Sequence, residues 1–147
     1  MIDLHTYLEL PIDQEDRYLM EMANVGDINN KLVAIIRMND PGNIPHFHIV
    51  DKTTLGRDFH TCIKIESAEY FHHEDKEDIL NSKQRKNLND FLKKDNEIGV
   101  SNWKYLVTTW NINNSNKKVN KDIVQPDYTK LLSFLNINKY RLLVDDV

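Results

Sequence analysis

The chain has 147 residues, 40% hydrophobic and 29% charged, which suits one globular domain spanning 1–147 with an ordinary core. Its 19 Lys and Arg against 23 Asp and Glu leave a net charge of −4, which disfavours nucleic-acid coating, a task that rests on basic excess. No run approaches the ~18 uncharged apolar residues of a membrane helix, and a single cysteine, Cys62, gives no disulfide framework.

The opening MIDLHTYLELPIDQEDRYLM has neither the basic start nor the apolar stretch of a signal peptide. A reducing, cytoplasmic location is therefore expected. The 17 Asn and 14 Lys point to an AT-rich genome, that of a bacterium or its mobile elements, and carry no binding signal.

Along the chain, Pro11 interrupts the first segment, and Asp13 to Met22 suits either a short helix or an edge strand. Gly26-Asp27 and Asn29-Asn30 mark a turn. The β-branched run KLVAIIRM predicts a strand over 31–38, buried on both faces. NDPGN at 39–43 is a turn signal. IPHFHIV (44–50) and FHTCIKIE (59–66) both alternate with period two. Phe47 and Ile49 oppose His46, His48 and Val50 in the first; Phe59, Thr61, Ile63 and Ile65 oppose His60, Cys62, Lys64 and Glu66 in the second.

An antiparallel hairpin of these two strands must bring its apolar faces together, because a one-residue slip reverses every side chain. That fixes the parity of the pairing but not its register. One allowed register sets His48 opposite His60 and His46 opposite Cys62. In every allowed register three histidines and the thiol share one polar face, expected to be open to solvent.

Further on, Asn81 with Gln84 forms a capping box ahead of a helix over 82–94, with Leu88, Phe91 and Leu92 inward and Lys83, Lys86, Lys93 and Lys94 outward. Trp103, Leu106, Val107 and Trp110 give a second helix over 101–112. The Asn-rich stretch 111–121 reads as a polar loop. Leu131, Leu132 and Leu135 suggest a third helix over 128–136, and 137–144 a closing strand. The expected fold is α+β: a small antiparallel sheet packed by two or three helices.

The chemistry concentrates at His46 and His48. Histidines two apart on a strand project from one face about 6.5–7 Å apart, close enough to converge on a metal ion. Zinc or another divalent metal then needs a further protein ligand, for which His60, Cys62 and Glu66 are available, and the candidate set is His46, His48, His60 and Cys62. Without metal, His46 and His48 suit general acid–base work near neutral pH, with Lys64 or a lysine of the 82–94 helix (Lys83, Lys86 or Lys93) steadying phosphate charge. Set against this are surface histidines without chemistry. Cys62 as a nucleophile competes with a small buried hydrophobe. Glu69 with His72-His73 resembles an E-x-x-H metal fragment, against a plain acidic turn. The Trp103/Trp110 stripe suits base stacking less well than core packing.

The stretch VAIIRMNDPGNIPHFHIVD resembles the signature of a family of small bacterial proteins, a domain of unknown function, with a D-H-x-P-P-H-F-H-V-type turn and strand. Asp40, Pro45, His46, Phe47 and His48 carry the match. Pro41 stands where the family has His, Ile44 where it has the first Pro of the pair, and His60 and Cys62 lie outside the pattern. The resemblance implies an order of three strands, a helix and a Trp-bearing helix from Lys31 to Trp110, and a toxin–antitoxin or mobile-element setting.

Two readings of function follow. In one, the protein is an accessory or inhibitory module that binds a protein partner. In the other, it is a toxin-type nuclease or phosphodiesterase centred on His46 and His48, with metal assistance where zinc is bound.

Overall fold

The computed structural model describes residues 22–38, 44–72 and 77–131. Four strands, β1 (Met22–Asp27), β2 (Leu32–Arg37), β3 (His46–Asp51) and β4 (His60–Lys64), form an antiparallel meander in the order β1-β2-β3-β4. Two helices, α1 (Ser82–Lys93) and α2 (Asn102–Asn113), and two 3-10 turns follow. The α+β architecture expected from the sequence is the one observed.

The sequence pattern predicts only three of these strands, β2 from its β-branched run and β3 and β4 from alternation. β1 escapes it because its register shifts between Asn24 and Gly26, a bulge that breaks the period of two. Gly26 sits in this bulge at φ 154°, and a Cβ there would lie 2.8 Å from Cζ of Phe91. The Gly26-Asp27 turn expected from the sequence is therefore strand. The reversal comes next, where Asn29 Oδ1 accepts from the N–H groups of Lys31 and Leu32.

β2 is buried on both faces from Leu32 to Ile36, as its composition requires. The β3–β4 connection winds around Asp51. Its carboxylate accepts from the Thr54 N–H and hydroxyl, both at 2.6 Å, and from the N–H groups of Gly56 and Phe59. Burial pushes that carboxyl up, but the hydroxyl and the three backbone donors outweigh it and hold it well below the usual carboxylate range.

The outer edge of β4 is occupied on both halves. Lys64 N–H donates to Glu69 O and Phe71 N–H to Cys62 O. Asp78 donates its N–H to His60 O at 2.7 Å and accepts the His60 N–H on its carboxylate at 3.0 Å.

Asn81 and Gln84 form the capping box that starts α1, and Ser101 caps α2 through Lys104 N–H. α2 packs across β1 and β2. The core joins Ala34, Ile36, Phe47, Ile49 and Ile63 to Leu88, Leu92, Leu106 and Trp110. The tryptophans are core residues: their ring N–H groups donate to Ile123 O and Lys117 O. A stacking platform for bases is thus overturned, because the indoles are spent on packing and on the loop that follows. Asn111 and Asn114 pin that loop by donating to Val119 O and Arg37 O.

The helix expected over 128–136 is, within the described residues, a single 3-10 turn, Tyr128–Lys130, which Leu131 leaves at ψ 122°. Asp127 caps it through Thr129, and Tyr128 is held between Asn89 Oδ1 and the carbonyls of Lys64 and Ile65. Burial drives the Tyr128 phenol above its usual value. The Asp13–Glu21 segment, the 39–43 turn with Asp40 and Pro41, His73, the rest of the 128–136 helix and the 137–144 strand lie outside the described residues.

Candidate metal centre

Side chains on the second face of the sheet come from Val33, Ile35 and Val50 together with His46, His48, His60 and Cys62. β3 and β4 pair with His46 opposite Lys64, His48 opposite Cys62 and Val50 opposite His60. The parity forced by the apolar pattern holds, and the register lies one pair along from the one that sets His48 against His60. Cys62 consequently faces His48 directly, and His60 stands on the diagonal, a separation that long side chains still bridge.

Three donor atoms meet there. His48 Nδ1 lies 2.9 Å from His60 Nε2 and 3.1 Å from Cys62 Sγ, and Cys62 Sγ lies 3.5 Å from His60 Nε2. The two imidazole planes are nearly parallel, 8° apart. The triangle those distances define has its equidistant point about 1.9 Å from each atom, against zinc bonds of about 2.0–2.1 Å to imidazole and about 2.3 Å to thiolate. An ion slightly off the plane of the triangle meets all three after shifts of a few tenths of an ångström. Pairwise hydrogen bonding alone needs no such three-way convergence. The His48–His60–Cys62 group can hold a metal ion.

His46 belongs beside this group and not in it. Opposite Lys64, on the far side of His48 from His60, it packs edge-on to His48 at 4.9 Å and to Phe71 at 4.8 Å between ring centroids, and its Nδ1–H donates to Ile44 O at 2.7 Å. The His46/His48 pair expected to converge is replaced by His48/His60.

The expected solvent-open face is also overturned. Exposure is 1% for His46, 0% for His48, 7% for His60 and 0% for Cys62. The physical reason is packing by aromatic and aliphatic neighbours: the rings of Phe71 and Trp110 lie 4.8 and 5.5 Å from that of His46, and Val33, Ile35 and Val50 share the face. Burial removes the histidines from reach of a bulky substrate and makes a nucleophilic Cys62 inaccessible.

The remaining candidates lie elsewhere. Lys64 is half-buried and 3.8 Å from the Glu69 carboxylate. Lys83, Lys86 and Lys93 on α1 and Lys94 at its C-cap are exposed. Glu69 bridges in extended geometry to β4, so Glu69 and His72 do not share a helical turn; His72 instead pairs with Glu77 at 3.0 Å. Asp78, which fixes the His60 backbone, is the residue the sequence does not single out. Its only signal is its place in an acidic run.

No protein-family model, curated protein or solved structure matches the chain. Among the described residues, no helix is long and apolar enough to cross a membrane.

Proposed function

We propose that the protein is a non-catalytic accessory module that acts by binding a protein partner in a toxin–antitoxin or defence setting. The observation that carries this reading is the burial of His46, His48, His60 and Cys62. A polynucleotide cannot reach side chains enclosed within the fold, so their chemistry serves the interior. The net charge of −4 supports the same reading, because a polyanion is repelled on approach. So does the resemblance around Pro45-His46-Phe47-His48, which implies a toxin–antitoxin or mobile-element setting. A metal ion at His48, His60 and Cys62 has a structural part here, bracing β3 against β4, with zinc the divalent candidate for such donors.

The test is co-expression with the products of the adjacent genes, followed by light scattering, alongside nuclease assays of the wild type, His46→Ala and His48→Ala. A complex of defined mass and no hydrolysis are expected. Absence of a complex, or hydrolysis that disappears in both variants while their melting temperatures hold, overturns the reading.

A further inference from the structure

The three converging donors select a class of ion by their chemistry. His48 Nδ1 and His60 Nε2 are imidazole nitrogens and Cys62 Sγ is a sulfur, all within 3.5 Å of one another. Magnesium, calcium and manganese favour oxygen ligands. Thiolate and imidazole together favour the transition ions from cobalt to zinc. That preference belongs to these three atoms and holds whatever else joins them at the ion.

What such an ion fastens follows from where the donors stand. His48 is on β3, and His60 and Cys62 are two apart on β4, with Cys62 directly opposite His48. The same two β4 residues anchor the segment outside the strand. Phe71 N–H donates to Cys62 O. Asp78 N–H donates to His60 O at 2.7 Å, and the Asp78 carboxylate accepts the His60 N–H. Phe71 also packs edge-on to His46 of β3, with ring centroids 4.8 Å apart. A shared ion therefore grips side chains whose backbones join β3, β4 and residues 71 and 78. The helix α1 packs on α2 and the Tyr128 turn instead.

Building on the bracing role given to the metal above, we infer that His48, His60 and Cys62 form a site for a transition ion of the cobalt-to-zinc series, selective against magnesium, calcium and manganese, and that its loading locks the β3–β4 hairpin to residues 71 and 78. Metal supply then sets how often this part of the sheet opens. Binding forms one metal–sulfur and two metal–nitrogen bonds and releases the Cys62 thiol proton to solvent; no electron is transferred. His48 then carries its proton on Nε2 and His60 on Nδ1.

The experiment titrates the full-length, metal-stripped protein with cobalt(II), then adds zinc(II), magnesium(II) or manganese(II) in excess, and follows amide hydrogen exchange with and without zinc. Cobalt(II) is expected to bind at one equivalent with a thiolate-to-cobalt band in the near ultraviolet. Zinc should remove that band, and magnesium and manganese should leave it unchanged. With free zinc at about 100 times its Kd, exchange at the Phe71 and Asp78 N–H groups should slow about 100-fold and that within α1 should stay as it was. Cys62→Ser and His60→Asn, each checked for folding by circular dichroism, should lose both the band and the slowing. A wild-type protein without the band, a band that magnesium or manganese removes, or one that persists in Cys62→Ser overturns the site. Slowing as large in α1 as at Phe71 and Asp78 overturns the local lock. All these readouts report metal alone, so the partner-binding proposal stands or falls separately, on its co-expression test.

Discussion

On the helix-covered face of the sheet, Phe47, Ile49 and Ile63 meet Leu88, Leu106 and Trp110 in one continuous apolar layer. On the opposite face, Val33, Ile35 and Val50 share the space with His46, His48, His60 and Cys62. The two faces come from the same strands and the same alternation, and both are buried. Alternation therefore assigns residues to a side of a sheet without stating what covers that side. A face that mixes aliphatic and ionisable residues can be interior, provided its polar atoms converge on one another, as they do around Cys62.

The largest expected difference between the faces comes from Phe47→Ala. Phe47 is fully buried and packs edge-on to Tyr128 at 5.7 Å, so truncation should cost about 3–5 kcal/mol in denaturant unfolding. A loss under about 1 kcal/mol would mean the helix-covered face is not the dominant core.

The Asp51 turn, which connects β3 to β4, comes next. Asp51→Asn should cost about 1–3 kcal/mol at neutral pH by weakening four accepted hydrogen bonds. Its folded carboxyl is held below the ordinary value, so its contribution is complete above the unfolded pKa of about 3.9 and fades as pH falls beneath it. Unfolding curves of wild type and Asp51→Asn should accordingly converge in acid; a constant gap from pH 7 to 2 refutes the assignment.

The smallest effect sharpens the comparison from the other side. Ile35→Val on the His/Cys face should cost about 0.5–1.5 kcal/mol if that face is packed as a true interior. A value indistinguishable from zero would mark it as loosely covered.

Where the sequence was legible, a local rule was sufficient. Asn81 with Gln84 announces α1, the tryptophan spacing announces α2, and the unbroken apolar run of β2 announces a strand buried on both faces. The pairing parity of β3 and β4 was legible for the same reason. The register was not, because it depends on how many residues the Asp51 carboxylate gathers into the connecting turn, and one pair of shift exchanges His46 for His48 as the neighbour of Cys62. β1 was hidden by the Gly26 bulge, and the interior position of the histidines by the rule that polar faces meet water. That rule fails where polar groups supply one another's contacts.

Enclosure of the three donors has a kinetic side. With His60 clamped fore and aft by Asp78 and Cys62 bridged to Phe71 through the backbone, anything bound at their centre can leave only when neighbouring strands part. Exchange at such a site follows the tempo of local opening and not the strength of the bonds themselves. Loading then belongs most naturally to the interval in which the newly made chain is still closing its hairpins.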